Sequence, residues 1–138
     1  MTEDHSGNAD VLSEAELRDL RELRHRLLHV HKILLDMERA DFELASGPLN
    51  SGELLQLVIN HPQFAWLRKI SALVVQIDEM LDAEEPATPS GLQSVLSQAR
   101  SLMTLSTDEV FREKYQAALQ RNPDVVMAHA EVTKLLRV

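Results

Sequence analysis

Cysteine is absent from this 138-residue chain. That excludes a disulfide scaffold, a thiolate-ligated zinc or iron–sulfur centre and a thiol nucleophile, and it fits a reducing compartment. Aromatic residues make up only 4%, so a core must come from Leu, Val, Ile, Ala and Met. With four glycines in all, no Gly-rich phosphate loop exists. No apolar run approaches the roughly 18 residues of a membrane span. No stretch alternates apolar and polar residues between turn signals, so no strand is predicted. No Ser-His-Asp order carries a nucleophile elbow, and the expectation is a non-enzyme with no cofactor. Basic charge is also scarce: 14 Lys and Arg face 22 Asp and Glu, for a net charge of −8. An acidic chain repels nucleic acid, whose binding requires Lys and Arg against phosphate.

What is present is helical pattern. Ser13 with Glu16 forms a capping box that opens a long first helix, and Gly47-Pro48 stops it after about Ser46. Leu20, Leu23, Leu27, Val30, Leu34 and Met37 make its seam, flanked by the row Leu28, Leu35, Phe42. At 1.5 Å per residue this helix would reach about 50 Å. A compact domain of this size has a diameter near 37 Å, so the helix must overhang, kink or run along an elongated bundle. An overhanging apolar helix end is a common route to dimers. Ser51 is expected to cap a short helix over residues 52–60, and a third, central helix is predicted from Pro62 to about Ala83 with the seam Trp66, Ile70, Leu73, Ile77, Met80, while Phe64 and Val75 lie opposite. Beyond a linker at 84–89, further helices are expected over about 90–104, from a Ser106–Glu109 capping box to about Arg121 with Val110 and Phe111 buried, and from Asn122-Pro123 to about Arg137. The whole reads as an all-α bundle of five to six helices with one long N-terminal helix, a single domain over 13–138, preceded by a disordered acidic tail over 1–12. The tail has neither the basic start nor the apolar run of a secretory signal, which makes a cytoplasmic location the expectation.

Three polar residues interrupt the apolar stripe of the first helix: Arg24, His31 and Glu38, seven apart. Charge inside an apolar stripe needs a partner, and residues seven apart on one helix cannot supply it to each other. Arg24 could meet an acid of the cluster Asp78, Glu79, Asp82, Glu84, Glu85. All three could instead lie in a dimer interface and fix its register. His129 sits in the middle of the last helix's stripe Val125, His129, Val132, Leu136. His31, Glu38 and His129 are therefore the candidates for holding a metal, haem or small apolar ligand, since bundle sites are built from facing helices. The pair His25-x-x-x-His29 has metal-ligand spacing but points away from the apolar face. In the cationic run Arg18, Arg21, Arg24, Arg26, Lys32 and Arg39, the pairs Glu14–Arg18, Glu22–Arg26, Lys32–Asp36 and Arg39–Glu43 have i,i+4 spacing, so the run reads as a salt-bridged solvent face. The segment Asn60-His61-Pro62-Gln63-Phe64-Ala65-Trp66 gathers aromatic anchors and polar groups at a helix junction, so Asn60, His61 and Trp66 join the candidate cluster. The last two helices have a tight turn, but only Lys134 and Arg137 decorate the final one, too little for a DNA-reading helix.

The runs Leu54 to Leu67, Gln76-Ile77-Asp78-Glu79 and Pro123-Asp124-Val125-Val126-Met127-Ala128-His129 resemble motifs of small bacterial all-helical proteins of unknown function. The resemblance spans most of the chain and implies a bacterial cytosolic origin; it implies no activity and no residue roles. The leading functional expectation is a non-catalytic interaction or regulatory module that forms a homodimer or docks a protein partner, with no nucleic acid and no membrane. The alternative is a ligand-binding bundle centred on His31, Glu38 and His129.

Overall fold

The computed structural model describes residues 11–104 and 107–138. Among them are seven helices and no strand: α1 (Glu14–Ser46), α2 (Ser51–Asn60), α3 (Pro62–Ala65), α4 (Arg68–Asp82), α5 (Pro89–Thr104), α6 (Glu109–Arg121) and α7 (Pro123–Leu136). None is long and apolar enough to cross a membrane.

Helix α1 begins as its sequence dictates. The Ser13 hydroxyl accepts from the Glu16 N–H and the Glu16 carboxylate accepts from the Ser13 N–H, closing the capping box. Leu12 and Leu17 hold the hydrophobic-staple positions around that box, Leu12 buried and Leu17 partly so. Most of the expected tail, residues 1–10, lies outside the described residues; Leu12, assigned to the tail by sequence, belongs to the core. At the other end Gly47 adopts φ +83° while its N–H donates to the Glu43 carbonyl at 2.8 Å. An L side chain is strained in that conformation, so glycine is the residue that can end the helix there. Helix α1 runs unbroken, burying Leu20, Leu23, Leu27, Val30, Leu34 and Glu38. Glu38 takes the seam position expected of Met37, and Leu28 in the flanking row is exposed.

Helices α4 and α7 both pack along α1, α5 packs on α4, and α7 packs on α5. This closes a ring of four helices around one core cluster that extends from Leu12 to Leu136. Arg24 pairs with Asp78 while Glu38 meets Trp66, so α4 runs antiparallel to α1. Arg26 donates to the Glu131 carbonyl while Arg121 pairs with Asp41, so α7 also runs antiparallel to α1. The C-terminal half of α1, the α3–α4 junction and the α6–α7 turn therefore gather at one end of the bundle.

The predicted third helix is broken at Trp66–Leu67, and this is why seven helices replace five or six. On a regular helix Phe64 and Trp66 project about 200° apart, yet both are buried, as is Leu67. The chain tightens through i→i−3 bonds, from the Leu67 N–H to the Phe64 carbonyl at 3.2 Å and from the Ile70 N–H to the Leu67 carbonyl at 3.1 Å. This 3₁₀-type turn re-aims the aromatic residues so that both reach the core. Val75, predicted to be on a buried face, is exposed. Two caps also differ from expectation. Asn50, rather than Ser51, caps α2 through a reciprocal bond with Glu53. Asp108 caps α6 by accepting from the Phe111 N–H, while Ser106 lies outside the described residues. Val110, expected in the core, is exposed while its neighbour Phe111 is buried.

Candidate functional site

Glu38 is the one buried charged residue of the described chain. Two other parts of the fold, the α3–α4 segment and α6, bring three donors to it. The Trp66 indole N–H donates to Oε2 at 2.5 Å, the Gln63 side-chain amide donates to Oε1 at 3.1 Å, and the Lys114 ammonium approaches Oε2 at 3.5 Å. Lys114 also lies 6.0 Å from the Trp66 ring centroid, within cation–π range. One carboxylate thus joins α1, the α3–α4 junction and α6. The broken third helix is what makes the arrangement possible, because it turns the indole N–H toward α1.

An aromatic chain continues from this point. Trp66 packs on Phe111 with centroids 5.6 Å apart, Phe111 stacks on Tyr115 at 5.2 Å, and Tyr115 meets His129 at 5.5 Å. The Tyr115 hydroxyl and His129 Nδ1 are 2.8 Å apart. On a neutral imidazole Nδ1 accepts the phenolic proton and Nε2 carries the ring proton. Burial pushes the Tyr115 phenol well above its usual range, keeping it a donor at any ordinary pH.

The sequence-derived candidates therefore divide. Arg24 pairs with Asp78 of the acidic cluster, as one expectation had it, and the pair sits half-exposed between α1 and α4. His31 is half-buried on the same row. His61 accepts the Gln63 N–H at 3.1 Å and packs edge-on to Phe42 and Phe64, locking the α2–α3 junction. Asn60 is exposed and donates to Gln56 on its own helix. Glu38 and Trp66 come together, while His129 is held separately by Tyr115. His31, Glu38 and His129 do not converge on one point: among the described residues, no group of three or more His, Cys, Asp or Glu is placed to hold a metal ion. His25 and His29 are exposed. The surface pairs Glu22–Arg26, Lys32–Asp36 and Arg39–Glu43 form and account for three of the cations on α1.

In the sequence Gln63 stands out only as one polar residue of the 60–66 junction, and Lys114 not at all. Lys114 reaches a partner 76 residues away, and no local pattern encodes that. The Tyr115–His129 bond was closer to reach, since a buried phenol nearly always finds a partner.

A pH dependence follows. Burial holds both His31 and His129 below the ordinary 6.5. The unfolded chain then takes up more protons than the folded one as pH falls. The stabilisation is complete above 6.5 and is lost as pH drops through the lowered folded values. The melting temperature is expected to fall between about pH 7.5 and pH 5, and His31→Gln with His129→Gln should flatten that slope. An unchanged slope in the double variant would remove the imidazoles from the account.

Comparison of the chain with family models, curated proteins and solved structures finds no match.

Proposed function

We propose that this chain is a non-catalytic interaction module that self-associates through α2. The observation carrying this reading is that α2 buries none of its ten residues, although Leu54, Leu55, Leu57, Val58 and Ile59 make half of it apolar. Every other helix of ten residues or more buries at least three of its side chains. Leu54, Leu57 and Val58 lean on the core, while Leu55 and Ile59, four apart and so on one stripe, are 56% and 52% exposed. Leu44, in the last turn of α1, is 87% exposed.

Charge favours a second copy on this face. Two chains of net charge −8 repel over most of their surfaces, and a two-fold interface brings the same patch onto itself. A like-charged patch would oppose such a contact. Helix α2 carries a single ionisable residue, Glu53, which is engaged in the helix cap. Its exposed stripe is therefore apolar and free of like-charged carboxylates, with the Arg68 guanidinium donating to the Ile59 carbonyl at its C-terminal end. The buried Glu38 cluster serves this surface by fixing the junction from which α2 projects.

Light scattering coupled to size exclusion tests the reading. The wild-type chain is expected at twice its monomer mass. Leu55→Glu with Ile59→Glu should run as a monomer with an unchanged far-UV circular dichroism spectrum. A monomeric wild-type chain throughout the micromolar range would overturn the proposal.

A further inference from the structure

A groove of about 600 Å³ lies between α1 and α7, on the faces of those helices that bear His29 and Met127, residues absent from both the α2 surface and the Glu38 cluster. We infer that it is a docking groove for an amphipathic helix with basic flanks, contributed by a different protein.

The geometry is that of two antiparallel helices leaving room for a third. On α1 the lining residues run from Glu22 to Ile33, a span of about 16 Å or three helical turns. On α7 the lining positions Asp124, Met127, Ala128 and Glu131 follow the i, i+3, i+4, i+7 spacing of one helix face. The floor is apolar, formed by Ile33 and Ala128. Met127 stands beside it at 70% exposure. An exposed Met is the side chain that best reshapes itself to an incoming apolar face, and laying the apolar stripe of a helix into such a groove is a recurrent mode of recognition. Arg26 makes the groove a fixed feature by bridging its two walls, with Nη1 donating to the Glu131 carbonyl at 2.7 Å and Nε donating to Glu22 at 2.9 Å.

Charge selects the occupant. The Glu22 carboxylate is neutralised by Arg26. Among the described residues, neither Asp124 nor Glu131 makes a salt bridge through its side chain. These two carboxylates lie seven residues apart along one rim, about 10 Å or two helical turns. A helix lying alongside with Lys or Arg at the same interval would meet both. A second copy of this chain is the wrong partner, because its net charge of −8 opposes that rim. This surface is independent of the self-association proposed for α2, and either can fail alone.

The probe is a dye-labelled synthetic peptide of about 18 residues built from Leu, Ala and Lys, long enough to overspan the groove as a helix. Its leucines form one stripe, and its lysines flank that stripe. A second peptide of the same composition has its order rearranged to destroy the stripe. Fluorescence anisotropy on the full chain should show micromolar binding of the first and about ten-fold weaker binding of the second. Asp124→Asn with Glu131→Gln should weaken the first peptide about five-fold. The same loss of two charges at the exposed linker, Glu84→Gln with Glu85→Gln, should leave it unchanged. Amide shift changes in a two-dimensional NMR spectrum should centre on Met127 and Ala128. Equal binding of both peptides, equal effects of the two charge-neutral pairs, shifts centred on α2, or no binding at all would each overturn the inference.

Discussion

Replacing Glu38 with alanine is expected to destabilise the fold by about 3 kcal/mol, because three donors on two other elements lose their common acceptor at once. Trp66 is only 7% exposed, so water cannot readily take over its indole N–H, and a buried donor without an acceptor costs about 1–3 kcal/mol by itself. The Gln63 amide keeps a contact to the Glu38 backbone carbonyl at 3.3 Å and loses less. Lys114 is 39% exposed on its side chain, so its share of the loss is screened and small. The melting temperature should fall by roughly 10 °C at a fixed protein concentration for a chain of this length. Glu38→Gln retains an oxygen that can accept from the indole and should cost about a third as much. Lys114→Met should stay within about 0.5 kcal/mol of wild type. Urea unfolding of the three variants checks the ordering. Equal losses in all of them would mean that the ammonium, and not the indole, is the group that holds the carboxylate.

How much of this site was legible beforehand depended on how far each signal travels along the chain. The seam of α1 from Leu20 to Leu34, its capping box and its glycine stop are local, each written within a few residues, and they appear as read; only the last seam position shifts, from Met37 to Glu38. The oddity of a charge at Glu38 was legible too, because helical periodicity places it among leucines. Its donors were not. Trp66 looked like one more seam residue of a continuous helix, and only the competing demand to bury Phe64 forces the 3₁₀ turn that swings the indole N–H toward α1. Val110 and Phe111 show the same limit at another place. Both are apolar neighbours at the start of α6, and the sequence does not say which of them faces inward. Asp108 decides it: by capping at that residue, with Phe111 as the N3 position, the chain fixes the rotational phase of the helix. The expected cap at Ser106 would have begun α6 earlier. His129 was found by its stripe, but its partner lies on another helix, and no spacing along the chain links the Tyr115 hydroxyl to it.

Phe111→Ala is expected to cost about 4 kcal/mol, through lost transfer energy and the cavity left behind. Phe111 is 1% exposed and touches Trp66 on one side and Tyr115 on the other, so its removal also forfeits two aromatic contacts, each worth about 0.5–1.5 kcal/mol beyond area. Val110→Ala, one residue away, should stay within about 0.5 kcal/mol of wild type because its side chain already lies in solvent. That contrast between adjacent residues checks the rotational phase of α6. The more demanding measurement is the coupling between Phe111→Ala and Glu38→Ala. Phe111 supports the indole that donates to Glu38, and it lies three residues from Lys114 on the same helix. Once the ring is gone, the indole is less firmly held, and deleting its acceptor should then cost less than it does in the wild type. The double variant should therefore be more stable than the sum of the single losses implies, by about 1 kcal/mol. Additivity within about 0.4 kcal/mol would separate the carboxylate from the ring stack. The end of the bundle would then be two independent contacts, and the rigid support assigned to the α2 surface would be lost with it.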